Sequence, residues 1–151
     1  MSRAATWIAT LGPLGWWPVG PGTLTSLVVA GIWWWAAPSR TVTLVVAVVL
    51  TAIGTLAATL AERRFGPDDG RIVIDEAAGM TLALAGVPTG PVGAAVAFVL
   101  FRALDIGKPP PVSWCERARG GAGVMLDDVV AGALAAGTGA ILFRVLPGLG
   151  G

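Results

Sequence analysis

The sequence predicts an all-α protein: a compact membrane-embedded helical bundle of about six helices, some short or re-entrant, folded as a single domain over residues 1–151. Three observations carry that expectation. The chain is 55% hydrophobic and 13% charged, too apolar for an ordinary soluble domain. Its uncharged stretches are long, covering 4–39, 41–61, 77–101 and 129–143. They are interrupted by proline and glycine clusters rather than by extended polar segments.

The elements follow in order. Helices are expected at about 4–15, 24–37, 41–62, 75–86, 92–106 and 124–146. Pro18, Pro21 and Gly22 break the first stretch, because proline lacks a backbone donor and collides with the preceding turn. Pro38, Ser39 and Arg40 make the next turn, and 66–70 (Gly-Pro-Asp-Asp-Gly) is a polar loop. Residues 87–90, followed by Pro91, split the third stretch. Three prolines from Pro109 to Pro111 end the fifth helix. At roughly 20 residues per crossing, 41–61 can span alone, whereas 75–86 is too short and is read as re-entrant or buried in the bundle. The small residues Ala131, Gly132, Ala135, Ala136 and Gly139 suit close helix packing.

Counting sides from these elements brings the loops at 18–23, 62–75 and 102–123 to one face. That face collects Arg63, Arg64, Arg71, Arg102, Lys108, Arg117 and Arg119, against Arg40 and Arg144 on the other. The positive-inside rule then makes it cytoplasmic, in a multi-pass protein of the cell inner membrane with its site facing the cytoplasm. No cleavable signal is read at 1–3, so the first segment is expected to be retained. The pairs and triplets Trp16-Trp17 and Trp33-Trp34-Trp35 read as interfacial anchors.

Composition also excludes chemistry. A net charge of +1 gives no basic field, so nucleic acid is not an expected partner. There is no histidine, which removes serine-histidine triads, histidine phosphatases and HExxH zinc sites. The single cysteine, Cys115, is followed six residues later by Gly121 rather than arginine, which excludes a cysteine-phosphatase loop. Carboxylates, hydroxyls, cations and bound metal remain.

Of nine acidic residues, Asp75, Glu76, Asp105, Asp127 and Asp128 lie in or beside apolar runs. A carboxylate in such surroundings is costly unless paired or metal-bound. Pairing with Arg102 or Lys108 is the structural reading; five acids from three segments favour a divalent ion such as Mg²⁺, which takes hard oxygen ligands. Two glycine-rich turns accompany them. Pro21-Gly22-Thr23 precedes a helix with Thr23 as its expected cap, and 120–123 opens the last helix; free N–H groups at such starts suit phosphate.

Four motifs in order, PVGPGT at 18–23, IVIDEAAG at 72–79, FRALDIGKP at 101–109 and GGAGVMLDDVVAG at 120–132, resemble the phosphatidylglycerophosphatase A family. The match covers roughly 12–137, with Gly20, Pro110-Pro111 and Glu116 departing from the family pattern. The resemblance implies a Mg²⁺-dependent phosphatase that converts phosphatidylglycerophosphate to phosphatidylglycerol in phospholipid biosynthesis. Carried over by position, it implies metal binding by Asp75, Glu76, Asp105, Asp127 and Asp128. It implies catalysis by Asp127, Asp128 and Lys108, and substrate contacts from Gly22, Thr23, Arg102 and Lys108. The lipid and the membrane are then the partners, with homo-oligomerisation left open. One enzymatic rival, a CDP-alcohol phosphotransferase, fails because Asp69-Gly70 is followed by Arg71-Ile72 and lacks the required Ala-Arg. A small transporter or a structural membrane protein with an acidic ion site is the rival from another class, although no paired halves are visible.

Overall fold

The computed structural model describes residues 3–115 and 120–150, and every regular element among them is helical. The helices are α1 (Arg3–Ala9), α2 (Pro21–Ala36), α3 (Arg40–Phe65), α4 (Ile74–Leu84), α5 (Pro91–Gly107), α6 (Val112–Cys115) and α7 (Gly121–Val145). Short 3-10 turns lie at Leu14–Trp16 and Pro147–Gly150.

The expected breaks are present, with some displacement. The first helix stops at Ala9 instead of continuing to 15, because Leu11 and Gly12 adopt positive φ and turn the chain. Helix α2 starts three residues earlier than expected. Pro21 occupies its first turn, where the missing donor costs nothing, and Gly20 holds the cap position. Thr23 is therefore not the cap; it lies inside the first turn with its hydroxyl free for another partner. Helix α3 is capped as a sequence of this kind should be, with Ser39 Oγ accepting the Val42 N–H at 3.3 Å. The four-residue α6 was not anticipated, since it sits directly behind the prolines.

Side-chain size is distributed in an inside-out manner. On α3 the buried positions are Thr43, Ala47, Gly54, Ala57, Ala58 and Ala61, while Val48 and Leu56 are 68% and 71% exposed. A water-soluble bundle buries its large residues; a bundle in lipid gains nothing by doing so and packs through small ones. Helices α3 and α7 are both long and apolar enough to cross a membrane.

Helix α4 is the inverse case. Every residue in it except Glu76 and Leu82 is buried, at the centre of the bundle against α7, α3 and α2. It runs parallel to α7, and the two backbones meet at Gly79 and Gly132: a Cβ on Gly132 would collide with the Gly79 carbonyl oxygen, and one on Gly79 with that of Asp128. One turn before each of these glycines stand Asp75 and Asp128. The glycine crossing is thus what brings the two acids together.

Candidate active site

The chain reaches α4 through Val73, whose N–H donates to the Ala9 carbonyl at 2.9 Å. This anchor places Asp75 and Glu76 in the first turn of α4. Asp75 Oδ1 accepts the Glu76 N–H at 3.0 Å, so one oxygen caps its own helix. Asp128 approaches from the second turn of α7 and is 4% exposed. One carboxylate oxygen from each of Asp75, Glu76 and Asp128 lies within 4.8 Å of the others.

Two buried oxygens in this group, Glu76 Oε2 and Asp128 Oδ2, accept no hydrogen bond. A buried carboxylate oxygen without a partner is costly. Burial, followed by the charges of Glu76 and Asp128, holds the Asp75 carboxyl well above the usual carboxylate range, and burial raises that of Glu76. Three acids this close need a proton or a cation between them. An all-oxygen carboxylate donor set with orphaned lone pairs fits a hard divalent ion such as Mg²⁺.

Other predicted residues surround this cluster in two ion pairs. From α5, Arg102 binds Asp105 through Nη1 and donates to Thr23 Oγ1 through Nη2 at 3.1 Å. The Arg102–Thr23 bond ties α5 to the first turn of α2. Gly22, in that same turn, lies so close to Glu76 that a Cβ would collide with Oε1. Asp105 is near enough for its charge to act on Glu76, although it is engaged by Arg102. The second pair is Lys108 Nζ with Asp127 Oδ2 at 3.0 Å; Asp127 Oδ1 also accepts the Asp128 N–H at 3.1 Å.

Asp127 and Asp128 consequently have different surroundings. Neighbouring residues on a helix point about 100° apart, so Asp128 meets Asp75 and Glu76 while Asp127 turns toward Lys108. Lys108 and Asp127 line a cleft of about 650 Å³ together with Thr59, Glu62, Arg63 and Gly120. Arg63 enters the sequence reading only as one cation of the charged face, and Glu62 reads there as the polar end of an apolar helix; the fold makes both part of the cleft wall. Glu116, Arg117 and Arg119 lie outside the described residues.

The sequence model of the family described as Phosphatidylglycerophosphatase A matches residues 7–143. Phosphatidylglycerophosphatase A of Escherichia coli (strain K12) is 38% identical over 125 residues, covering 80% of this chain and 72% of that protein. A Bacteroides thetaiotaomicron protein provisionally named a phosphatidylinositol-3-phosphatase is 37% identical over 124 residues, covering 76% of this chain and 78% of that protein. Phosphatidylglycerophosphatase A of Haemophilus influenzae is 42% identical over 66 residues, covering 42% of this chain and 40% of that protein. No solved structure matches. The acidic residues that the fold gathers all come from segments inside the matched region, and the chain belongs to the phosphatidylglycerophosphatase A family of phosphatases.

Proposed function

We propose that this phosphatase hydrolyses the phosphomonoester of phosphatidylglycerophosphate, yielding phosphatidylglycerol for phospholipid synthesis, with Mg²⁺ held by Asp75, Glu76 and Asp128. The observation that carries the reading is the buried three-carboxylate cluster with orphaned oxygens, next to a cleft that presents an ammonium group. The substrate is taken from the names of the Escherichia coli and Haemophilus influenzae relatives.

Bound in the cluster, Mg²⁺ would supply Lewis acidity toward a phosphoryl oxygen and toward water. The chain's own residues supply the rest. A phosphate entering the cleft competes with Asp127 for Lys108 Nζ, and the ammonium then offsets charge that builds on the phosphoryl group. Released from that ion pair, Asp127 gains basicity and can accept the proton of the attacking water. Asp128, one residue away, holds the cluster's charge. Arg102 has both terminal nitrogens engaged by Asp105 and Thr23, and acts by holding α2 and its glycine turn against the acids.

We place the protein in the cytoplasmic membrane with this end toward the cytoplasm. The inside-out packing of α3 supports the bilayer, and Arg63, Arg64, Arg71, Arg102 and Lys108 at the acidic end against Arg40 and Arg144 at the other support the orientation. Membrane-impermeant maleimide should label Cys115 in inside-out vesicles and not in sealed cells; equal labelling from outside would reverse the orientation.

Phosphate release in detergent tests the activity. Phosphatidylglycerophosphate should be turned over faster than phosphatidylinositol 3-phosphate, and chelation should abolish turnover until Mg²⁺ is restored. Preference for the inositol lipid would overturn the substrate, and full turnover in excess chelator would overturn the metal.

A further inference from the structure

A second cavity, of about 330 Å³, lies at the other end of the bundle, among Trp33, Trp34, Arg40, Thr89, Phe143 and Arg144. It draws on the first residues of α3 and the last of α7, whereas the acidic-end cleft draws on the last turns of α3 and the first of α7. From Asp127 to Arg144 along α7 is about 26 Å at 1.5 Å per residue, close to the roughly 30 Å of a hydrocarbon core. Two cavities therefore face the two surfaces of one bilayer.

The charge of this cavity is unbalanced. Arg40 and Arg144 both line it, no acidic residue does, and neither arginine has an ion pair among the described residues. Arg144 sits in the last turn of α7, where the helix dipole favours a cation. Arg40 does not have that explanation. It occupies the first turn of α3, where a cation opposes the dipole and an anion is favoured. Two guanidinium groups at one concave site are a good geometry for a phosphate.

The flank of the cavity is apolar and exposed. Ile141 stands three residues before Arg144, on the same side of α7, and is 64% exposed. Trp34 and Trp35, 55% and 88% exposed, mark the interfacial level of this end. An occupant with a phosphate at the arginines and hydrocarbon along that flank fits better than a free anion. We propose that the cavity binds the headgroup phosphate of an anionic phospholipid in the leaflet opposite the acidic cluster. The assignment rests on the membrane reading above.

Native mass spectrometry of protein purified with equal phosphatidylglycerol and phosphatidylcholine tests it, with vesicle flotation reporting insertion separately. Wild type should retain phosphatidylglycerol in preference, and Arg40→Gln/Arg144→Gln should retain at least about tenfold less, the scale of a lost charge-assisted hydrogen bond. The double variant should keep wild-type turnover and flotation, and Arg64→Gln at the acidic end should retain lipid normally. Should the double variant fail to insert, Phe143→Trp, which narrows the cavity and keeps both charges, should also lose the lipid. Undiminished retention in the double variant, or in inserted Phe143→Trp, would overturn the site. Displacement of wild-type lipid by millimolar inorganic phosphate would overturn the lipid as occupant. Failure of wild type itself to float with vesicles would instead contradict the membrane reading.

Discussion

Two acidic pairs lie within eight residues of each other and have opposite physics. Asp68 and Asp69 sit in the loop between α3 and α4, where Asp69 forms a bidentate pair with Arg71 at 2.7 and 2.8 Å. The Arg71 guanidinium in turn lies 4.0 Å from the Phe65 ring and 5.2 Å from that of Trp16. These hydrogen bonds hold the Asp69 carboxyl below its ordinary value. Asp75 and Glu76 begin the next helix, where burial moves the carboxyls the other way and an oxygen of Glu76 is left without a partner. Of the first pair, Asp69 is satisfied by Arg71 and Asp68 is open to solvent; the second pair has unmet capacity. Unmet capacity in a buried place, rather than adjacency of acids, marks a reactive site.

The largest expected effect sharpens this contrast. Asp75→Asn, Asp127→Asn and Asp128→Asn should each lower turnover by at least about a hundredfold, because charge at the metal or the proton acceptor is lost. Asp75→Asn and Asp128→Asn should also weaken divalent-ion binding, while Asp127→Asn, outside the three-acid cluster, should leave it intact. Unaltered turnover in both Asp127→Asn and Asp128→Asn would break the site assignment.

A smaller loss is expected for Lys108→Met. Removing one charge-assisted contact worth about 1.5–3 kcal/mol should slow phosphate release by roughly ten- to a hundredfold and raise KM, without changing metal affinity. Gly132→Ala comes next. Its methyl would meet the Gly79 carbonyl, so unfolding in detergent should show a loss of about 1–3 kcal/mol, with activity falling although no acid is altered. Normal stability and activity in that variant would show that the crossing does not position Asp75 and Asp128. The smallest effects on turnover belong to the loop: Asp68→Asn and Asp69→Asn should remain near wild type, since Asp68 is exposed and Asp69 is engaged by Arg71, outside the three-acid cluster. A hundredfold loss in either would erase the distinction between the two pairs.

Much of this was legible in the residues. The uncharged stretches and their proline breaks located α2 to α5 and α7, because in an apolar chain proline and glycine are the main remaining punctuation. The convergence of acids followed from counting which loops share a face. Three features were not legible. The early end of α1 depends on positive φ at Leu11 and Gly12, which no hydropathy pattern announces. Thr23 looked like a cap, but Pro21 can itself begin a helix, leaving Thr23 to accept from Arg102 across the bundle. The division of labour between Asp127 and Asp128 is rotational, set by which side of α7 meets α4 at Gly79 and Gly132. In the sequence Gly132 reads only as a general packing residue and Gly79 only as the end of a motif.

The central claim is that Asp75, Glu76 and Asp128 together hold a divalent cation that the reaction needs. Titration with Mn²⁺ as a paramagnetic stand-in for Mg²⁺, followed by electron paramagnetic resonance in detergent, measures that directly. Wild-type protein should remove free Mn²⁺ signal in competition with Mg²⁺, Asp128→Asn should lose at least about tenfold in affinity for want of one charged ligand, and Asp69→Asn should bind as wild type does. Undiminished Mn²⁺ binding by folded Asp128→Asn, or wild-type turnover that persists with the cation stripped away, would contradict the account.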